Sequence, residues 1–146
     1  MKIYKIACKN EQELQDHIRE ELLKFIDSVD KNWNYIIPEE LNKKDLSKYY
    51  LLDVRDAESF KKGHIKGAKS IYWTEVLKPE NIKKLPKNKK IIIICYVGHT
   101  ATMIMVALRL LGYEAIALKF GMGISPVKGV PVAGWTNFGF DVVKGE

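Results

Sequence analysis

A chain of 146 residues, 47% of them apolar and 29% charged, can bury one core of ordinary size and has the balance of a globular protein, which excludes disordered and fibrous classes. No apolar run approaches the roughly 18 residues that a membrane-spanning helix needs. Two cysteines and three scattered histidines give neither a disulfide framework nor metal-ligand spacing, so no metal, cofactor or membrane partner is expected.

The net charge of +6 is uneven, because residues 61–90 hold ten lysines against Glu75 and Glu80. Such a stretch reads first as a solvated face and second as a field that draws anions. Nucleic acid ranks last, since the lysines lack interleaved aromatics. Lys5-Ile6-Ala7-Cys8 has a faint lipobox look, but no apolar segment precedes it and no signal-peptide core is present. The expected location is cytoplasmic, with a removed export signal as the alternative.

In chain order, residues 11–31 place Leu14, Ile18, Leu22, Phe25, Ile26 and Val29 at helical spacing, with Asn10 as N-cap. An amphipathic helix needs a surface for its apolar face, so residues 1–34 read as a helical extension packed on a domain of residues 35–146. Tyr35-Ile36-Ile37 is a brief strand, and Pro38 opens a helix to Lys44. Tyr49 to Val54 is an apolar strand, after which Asp56 caps a short helix through Lys61. Ala68 to Tyr72 is a third strand, and residues 73–88 are short helix and loop.

Lys90 to Cys95, with four consecutive isoleucines, reads as a central strand covered on both faces. Ala101 to Leu111 is apolar nearly all round, which predicts a buried helix with Met103 and Met105 as core filler. Gly112 stops it, and Glu114 to Leu118 is a fifth strand. The glycine-rich tail 121–139 reads as an irregular closing segment whose Trp135 and Phe138 cover an edge of the core. This alternation predicts an α/β domain with a largely parallel sheet.

Ligands of open α/β sheets bind beyond the carboxyl ends of the strands, and Cys95 ends the central one. Gly98 permits a turn closed to other residues, and a helix follows. Strand, turn and helix N-terminus aim several N–H groups at one point. That is an anion cradle, and it favours a thiolate. On position alone, a small buried hydrophobe is an equal alternative for Cys95.

From Tyr35 to Leu118 the chain resembles the rhodanese homology domain, through motifs that occur in order. They are Leu52-Asp53-Val54-Arg55, then Glu58 and Phe60 before Gly63-His64-Ile65-Lys66-Gly67-Ala68, then Cys95-Tyr96-Val97-Gly98-His99-Thr100, and Leu110-Leu111-Gly112-Tyr113. The resemblance implies a five-stranded parallel sheet flanked by helices. It also implies a sulfurtransferase whose Cys95 takes a sulfane sulfur from a small anionic donor and passes it to cyanide, a thiol or a protein acceptor. The N–H groups of Tyr96, Val97, Gly98, His99 and Thr100 would hold the persulfide. Many members carry arginine where this chain has Thr100, which leaves the donor open between thiosulfate and a persulfide.

Among the other residues, Asp53 and Arg55 read as an internal ion pair and His64 as a structural hydrogen-bonder, all three supporting the site. Tyr96 walls it, His99 faces solvent, and Cys8 is inert. Two other functions compete with the enzyme. One is a persulfide carrier or sulfide-responsive module docking through the lysine-rich stretch. The other is a phosphatase or arsenate reductase of related fold, whose longer, arginine-ended loop this chain lacks.

Overall fold

The computed structural model describes residues 9–125 and 127–145, so Cys8 lies outside the described residues. Five parallel strands form one sheet: β1 (Tyr35–Ile36), β2 (Tyr50–Asp53), β3 (Lys69–Ser70), β4 (Ile91–Ile94) and β5 (Ala115–Leu118). Their spatial order is β1-β5-β4-β2-β3, which puts the isoleucine strand in the middle. The helices are α1 (Glu11–Asp27), α2 (Pro38–Asn42), α3 (Ala57–Lys62), α4 (Pro79–Ile82) and α5 (His99–Leu110). The α/β reading of the sequence, with its parallel sheet of five strands and its additional N-terminal helix, is therefore the architecture observed.

Strand alternation divides the core. Ile91, Ile93 and Cys95 point to one face, where they pack with Ala101, Ile104, Met105 and Leu108 of α5. Ile92 and Ile94 point to the other, against Leu41, Phe60, Ile65, Met122 and Trp135. Each isoleucine is fully buried, and burial of one such side chain contributes about 1.5–3 kcal/mol. The same period of two fixes where Cys95 goes: onto the α5 side, at the carboxyl end of the sheet.

Three expectations change. The first helix stops at Asp27 rather than residue 31, because the Asp30 carboxylate accepts the N–H groups of Asn32 and Asn34 at 2.8 and 2.9 Å and folds the chain into a turn. Its apolar face is not covered along its length. Phe25 packs against the core, whereas Leu14, Ile18 and Leu22 stay exposed, since the contact of α1 with α5 does not bury them. Likewise α5 is buried on one side: Ala101, Ile104, Met105 and Leu108 meet the sheet, but Met103 is 58% exposed and is not core filler.

In the tail, Trp135 is buried and its Nε1 donates to the Asp141 carbonyl at 2.9 Å, while Phe138 stays exposed and stacks on Phe140. Among the described residues no helix is long and apolar enough to cross a membrane.

Candidate active site at the carboxyl end of the sheet

Cys95 follows β4 directly and is buried. The chain then turns within three residues, because Gly98 adopts φ +102°, a left-handed conformation that a side chain would strain. This turn brings the Gly98 N–H to 3.0 Å from Cys95 Sγ, so the amide donates to the sulfur. Helix α5 begins at the next residue, His99. Its end carries roughly half a positive charge, and the sulfur lies at that end.

The loop carbonyls are held on the opposite side. Met122 N–H donates to the Cys95 carbonyl at 2.8 Å, and Gly123 N–H to the Tyr96 carbonyl at 3.0 Å. A trans peptide is planar with its C=O and N–H opposed, so these bonds turn the N–H groups of Tyr96 and Val97 away from the tail segment. The Gly98 carbonyl accepts from the Thr102 N–H at 3.0 Å and the Thr102 hydroxyl at 2.8 Å. Thr102 Oγ1, its proton so engaged, accepts from the Tyr35 hydroxyl at 2.8 Å. By the same planarity the His99 N–H points out of the helix end. The loop is thus a set of N–H donors whose carbonyls are tied down elsewhere.

Tyr96 is half-buried, and its hydroxyl donates to the Asp56 carboxylate. Asp56 also caps α3, accepting the Ser59 N–H at 2.8 Å and the Ser59 hydroxyl at 2.7 Å. Tyr96 first, and Ser59 next, hold the Asp56 carboxyl well below the usual carboxylate range. Burial, and then the Asp56 carboxylate, push the Tyr96 phenol up.

Asp53 and Arg55 are fully buried and form the expected internal pair, with Arg55 Nη2 at 2.7 Å from Asp53 Oδ2 and Nε at 3.0 Å from Oδ1. Arg55 Nη2 also donates to the Gly63 carbonyl at 2.8 Å, while Nη1 has no hydrogen-bond partner among the described residues. His64 is buried too: its Nδ1 lies 2.9 Å from the Phe60 carbonyl oxygen, and its ring stacks on Phe60 at 3.7 Å. These three residues brace the strand and turn beside the loop. The described hydrogen bonds give none of them a contact with Cys95.

Among the remaining loop positions, Val97 and Thr100 are half-buried and His99 is exposed, as its solvent-facing reading had it. The lysine-rich stretch is in part neutralised by Lys62–Glu58, Lys78–Glu75 and Lys90–Glu114 pairs. Among the described residues, no group of three or more His, Cys, Asp or Glu could hold a metal ion.

Two features escaped the sequence reading. Asp56 was legible as a helix cap, but not as a partner of the cysteine loop. The Gly121-Met122-Gly123 run was legible as irregular chain, and its two closely spaced glycines were the only sign that backbone passes against backbone there.

No curated protein matches the chain at the sequence level. Among solved structures, a rhodanese-related protein from Thermoplasma volcanium is 24% identical with a TM-score of 0.62, covering 75% of this chain and 96% of its own. A rhodanese-like domain protein from Staphylococcus aureus is 24% identical with a TM-score of 0.55, covering 67% and 96%. A thiosulfate sulfurtransferase from Pseudomonas aeruginosa is 18% identical with a TM-score of 0.59; the match covers 77% of this chain and 19% of that one. These likenesses concern the fold. The family model described as Rhodanese-like domain matches residues 37–123, more than half of the sequence, and the chain therefore belongs to the rhodanese-like domain family.

Proposed function

We propose that this protein is a sulfurtransferase in which Cys95 carries the sulfur as a persulfide. The Cys95 thiolate attacks the outer sulfur of a small anionic donor; the donor's S–S bond breaks, and its remainder leaves with the bonding pair. That remainder is sulfite when the donor is thiosulfate and a thiolate when it is a persulfide. An acceptor thiolate or cyanide then attacks the outer sulfur of the Cys95 persulfide, forms the new bond to it, and releases Cys95 as thiolate. Cys95 holds negative charge on sulfur as thiolate and as persulfide anion, which is what converging N–H groups and a helix end stabilise.

The observation that carries this reading is the Gly98 N–H directed at Cys95 Sγ from 3.0 Å, at the start of α5. Thr100 offers a hydroxyl where a guanidinium would grip a sulfonate in a forked pair of bonds, which favours a persulfide over thiosulfate as donor. The acceptor is a thiol of a small molecule or of a protein, and the lysine-rich stretch suits an acidic one.

The test is sulfur transfer from thiosulfate and from a small-molecule persulfide to cyanide and to a thiol, for wild type and Cys95→Ser. Transfer should vanish in the variant while the fold persists, and mass spectrometry of the loaded wild type should find one added sulfur on Cys95. Stoichiometric loading without turnover would convert the reading to a carrier. Hydrolysis of an aryl phosphate that depends on Cys95, with no sulfur transfer, would replace it with a phosphatase.

A further inference from the structure

Tyr96 is fixed at both ends. Its carbonyl accepts from Gly123 N–H at 3.0 Å and Ile124 N–H at 3.3 Å, and its hydroxyl is bound by Asp56. One anchor is on the segment after β5 and the other at the head of α3. Between them runs the backbone that presents the Tyr96 and Val97 N–H groups. Asp56 is itself held by the Ser59 N–H and hydroxyl, and the Ser59 hydroxyl stands 3.2 Å from that of Tyr96. The carboxylate is therefore set in place before it meets the phenol. A hydrogen bond to an ionised acceptor is roughly twice as strong as a neutral one.

We propose that Asp56 is a positioning residue for sulfur transfer: acting through the Tyr96 hydroxyl, it fixes the aim of the loop N–H groups at the sulfur carried by Cys95. The proposal rests on the persulfide reading of Cys95. Asp56 is anchored some forty residues before the loop, so α3 and the cysteine loop become one unit (their separation is 40 residues). An aim fixed in advance stabilises charge as it develops on the sulfur, without reorganisation at that moment. The effect belongs in kcat, because a donor binds through its own charge and the loop aim matters when the S–S bond breaks.

Asp56→Asn is suited to the test because Asn caps a helix about as well as Asp, so α3 keeps its start while the charged acceptor is lost. Tyr96→Phe removes the other partner and leaves the cap alone. Both variants and the double variant are compared in sulfur transfer from a small-molecule persulfide to a thiol, and in the rate of Cys95 alkylation by iodoacetamide. Each single variant should lower kcat and alkylation about fivefold, the equivalent of one hydrogen bond, with KM little changed. The double variant should be no slower than the slower single one, because the two residues act as one device.

Losses that multiply in the double variant, or wild-type rates in either single variant, overturn the proposal. If Asp56→Asn fails to fold, Tyr96→Phe carries the test alone, and wild-type rates in that folded protein overturn it. The alkylation arm reports loop aim whether or not sulfur is transferred. A chain that alkylates as expected but transfers no sulfur thus fails the function and not the positioning.

Discussion

Gly121 stands directly behind Cys95: a Cβ placed on it would lie 2.2 Å from the Cys95 carbonyl oxygen and 2.9 Å from the carbonyl carbon of Tyr96. Backbone packs on backbone here, and the amide next in sequence, Met122 N–H, closes the contact with its 2.8 Å bond to that oxygen. Trp135 N–H in turn donates to the Gly121 carbonyl at 3.0 Å. The candidate site is thus braced from the tail inward, through Trp135, Gly121 and Cys95.

Gly121→Ala meets two obstacles, a φ of +53° and the carbonyl in the way. The conformation alone costs about 1–2 kcal/mol. Gly129→Ala, at φ +80° with nothing within 4 Å, meets only the first and serves as the control. Thermal unfolding should therefore show a larger loss of Tm for Gly121→Ala, accompanied by loss of sulfur transfer in the protein that remains folded. Equal Tm losses in the two variants would mean that the close approach at Cys95 relaxes freely.

Gly98→Ala separates activity from stability. At φ +102° the new methyl group is strained and sits 3.3 Å from the Phe120 amide nitrogen, a tight contact that small shifts can relieve. The relief moves the one N–H that, among the described residues, bonds to Cys95 Sγ. The expected outcome is a fall in sulfur transfer of at least about tenfold with a stability loss of only about 1–2 kcal/mol. Transfer assays beside chemical denaturation check it, and activity that falls only in step with folded fraction would speak against a role for this amide.

What the sequence made legible follows from how local each cause is. Four β-branched isoleucines in a row favour a covered strand, and the period of two then puts Cys95 on the same face as Ile91 and Ile93. The pairing of Asp53 with Arg55 was legible because two residues apart on an extended chain they share a face. By contrast, whether Met103 or Leu14 is covered depends on a partner element, and neither meets one that buries it. The contacts of Gly121 with Cys95 and of Asp56 with Tyr96 depend on chain folded back from far away. No periodicity encodes them, and a lone glycine or a capping aspartate looks the same with or without them.

The Asp53–Arg55 pair is fully buried, which sets up a third outcome. Asp53→Ala leaves a guanidinium in the core with one acceptor among the described residues, the Gly63 carbonyl, and breaking such a pair costs about 3–5 kcal/mol. Replacing both residues with apolar ones of similar volume, Asp53→Leu with Arg55→Met, removes the stranded charge and should recover much of that loss. Urea denaturation of the single and double variants measures it. A double variant less stable than Asp53→Ala would show that the pair stabilises through its bonds to the neighbouring backbone rather than by mutual neutralisation.

The last outcome concerns pH, and the signs differ for the two partners at the loop. Asp56 has a folded-state pKa lowered from its ordinary 3.8, by the Tyr96 hydroxyl first and Ser59 second. Its contribution to stability is therefore fully present above the ordinary value and lost progressively as the pH falls below it toward the folded one. Tyr96 has a folded-state pKa raised from 10.0, by burial first and by Asp56 second. Its contribution is fully present below that value and lost as the pH rises through it. Wild type should accordingly exceed Asp56→Asn in Tm by a constant margin from about pH 5 to pH 9, a margin that narrows toward pH 3. Tyr96→Phe should lose less stability than wild type between pH 9 and pH 11, because no phenol has to stay protonated inside the folded chain. Thermal unfolding across this range, at fixed ionic strength, checks both ends. A wild-type margin over Asp56→Asn that stays constant down to pH 3 would mean that the Asp56 carboxylate is not held ionised by the tyrosine of the cysteine loop.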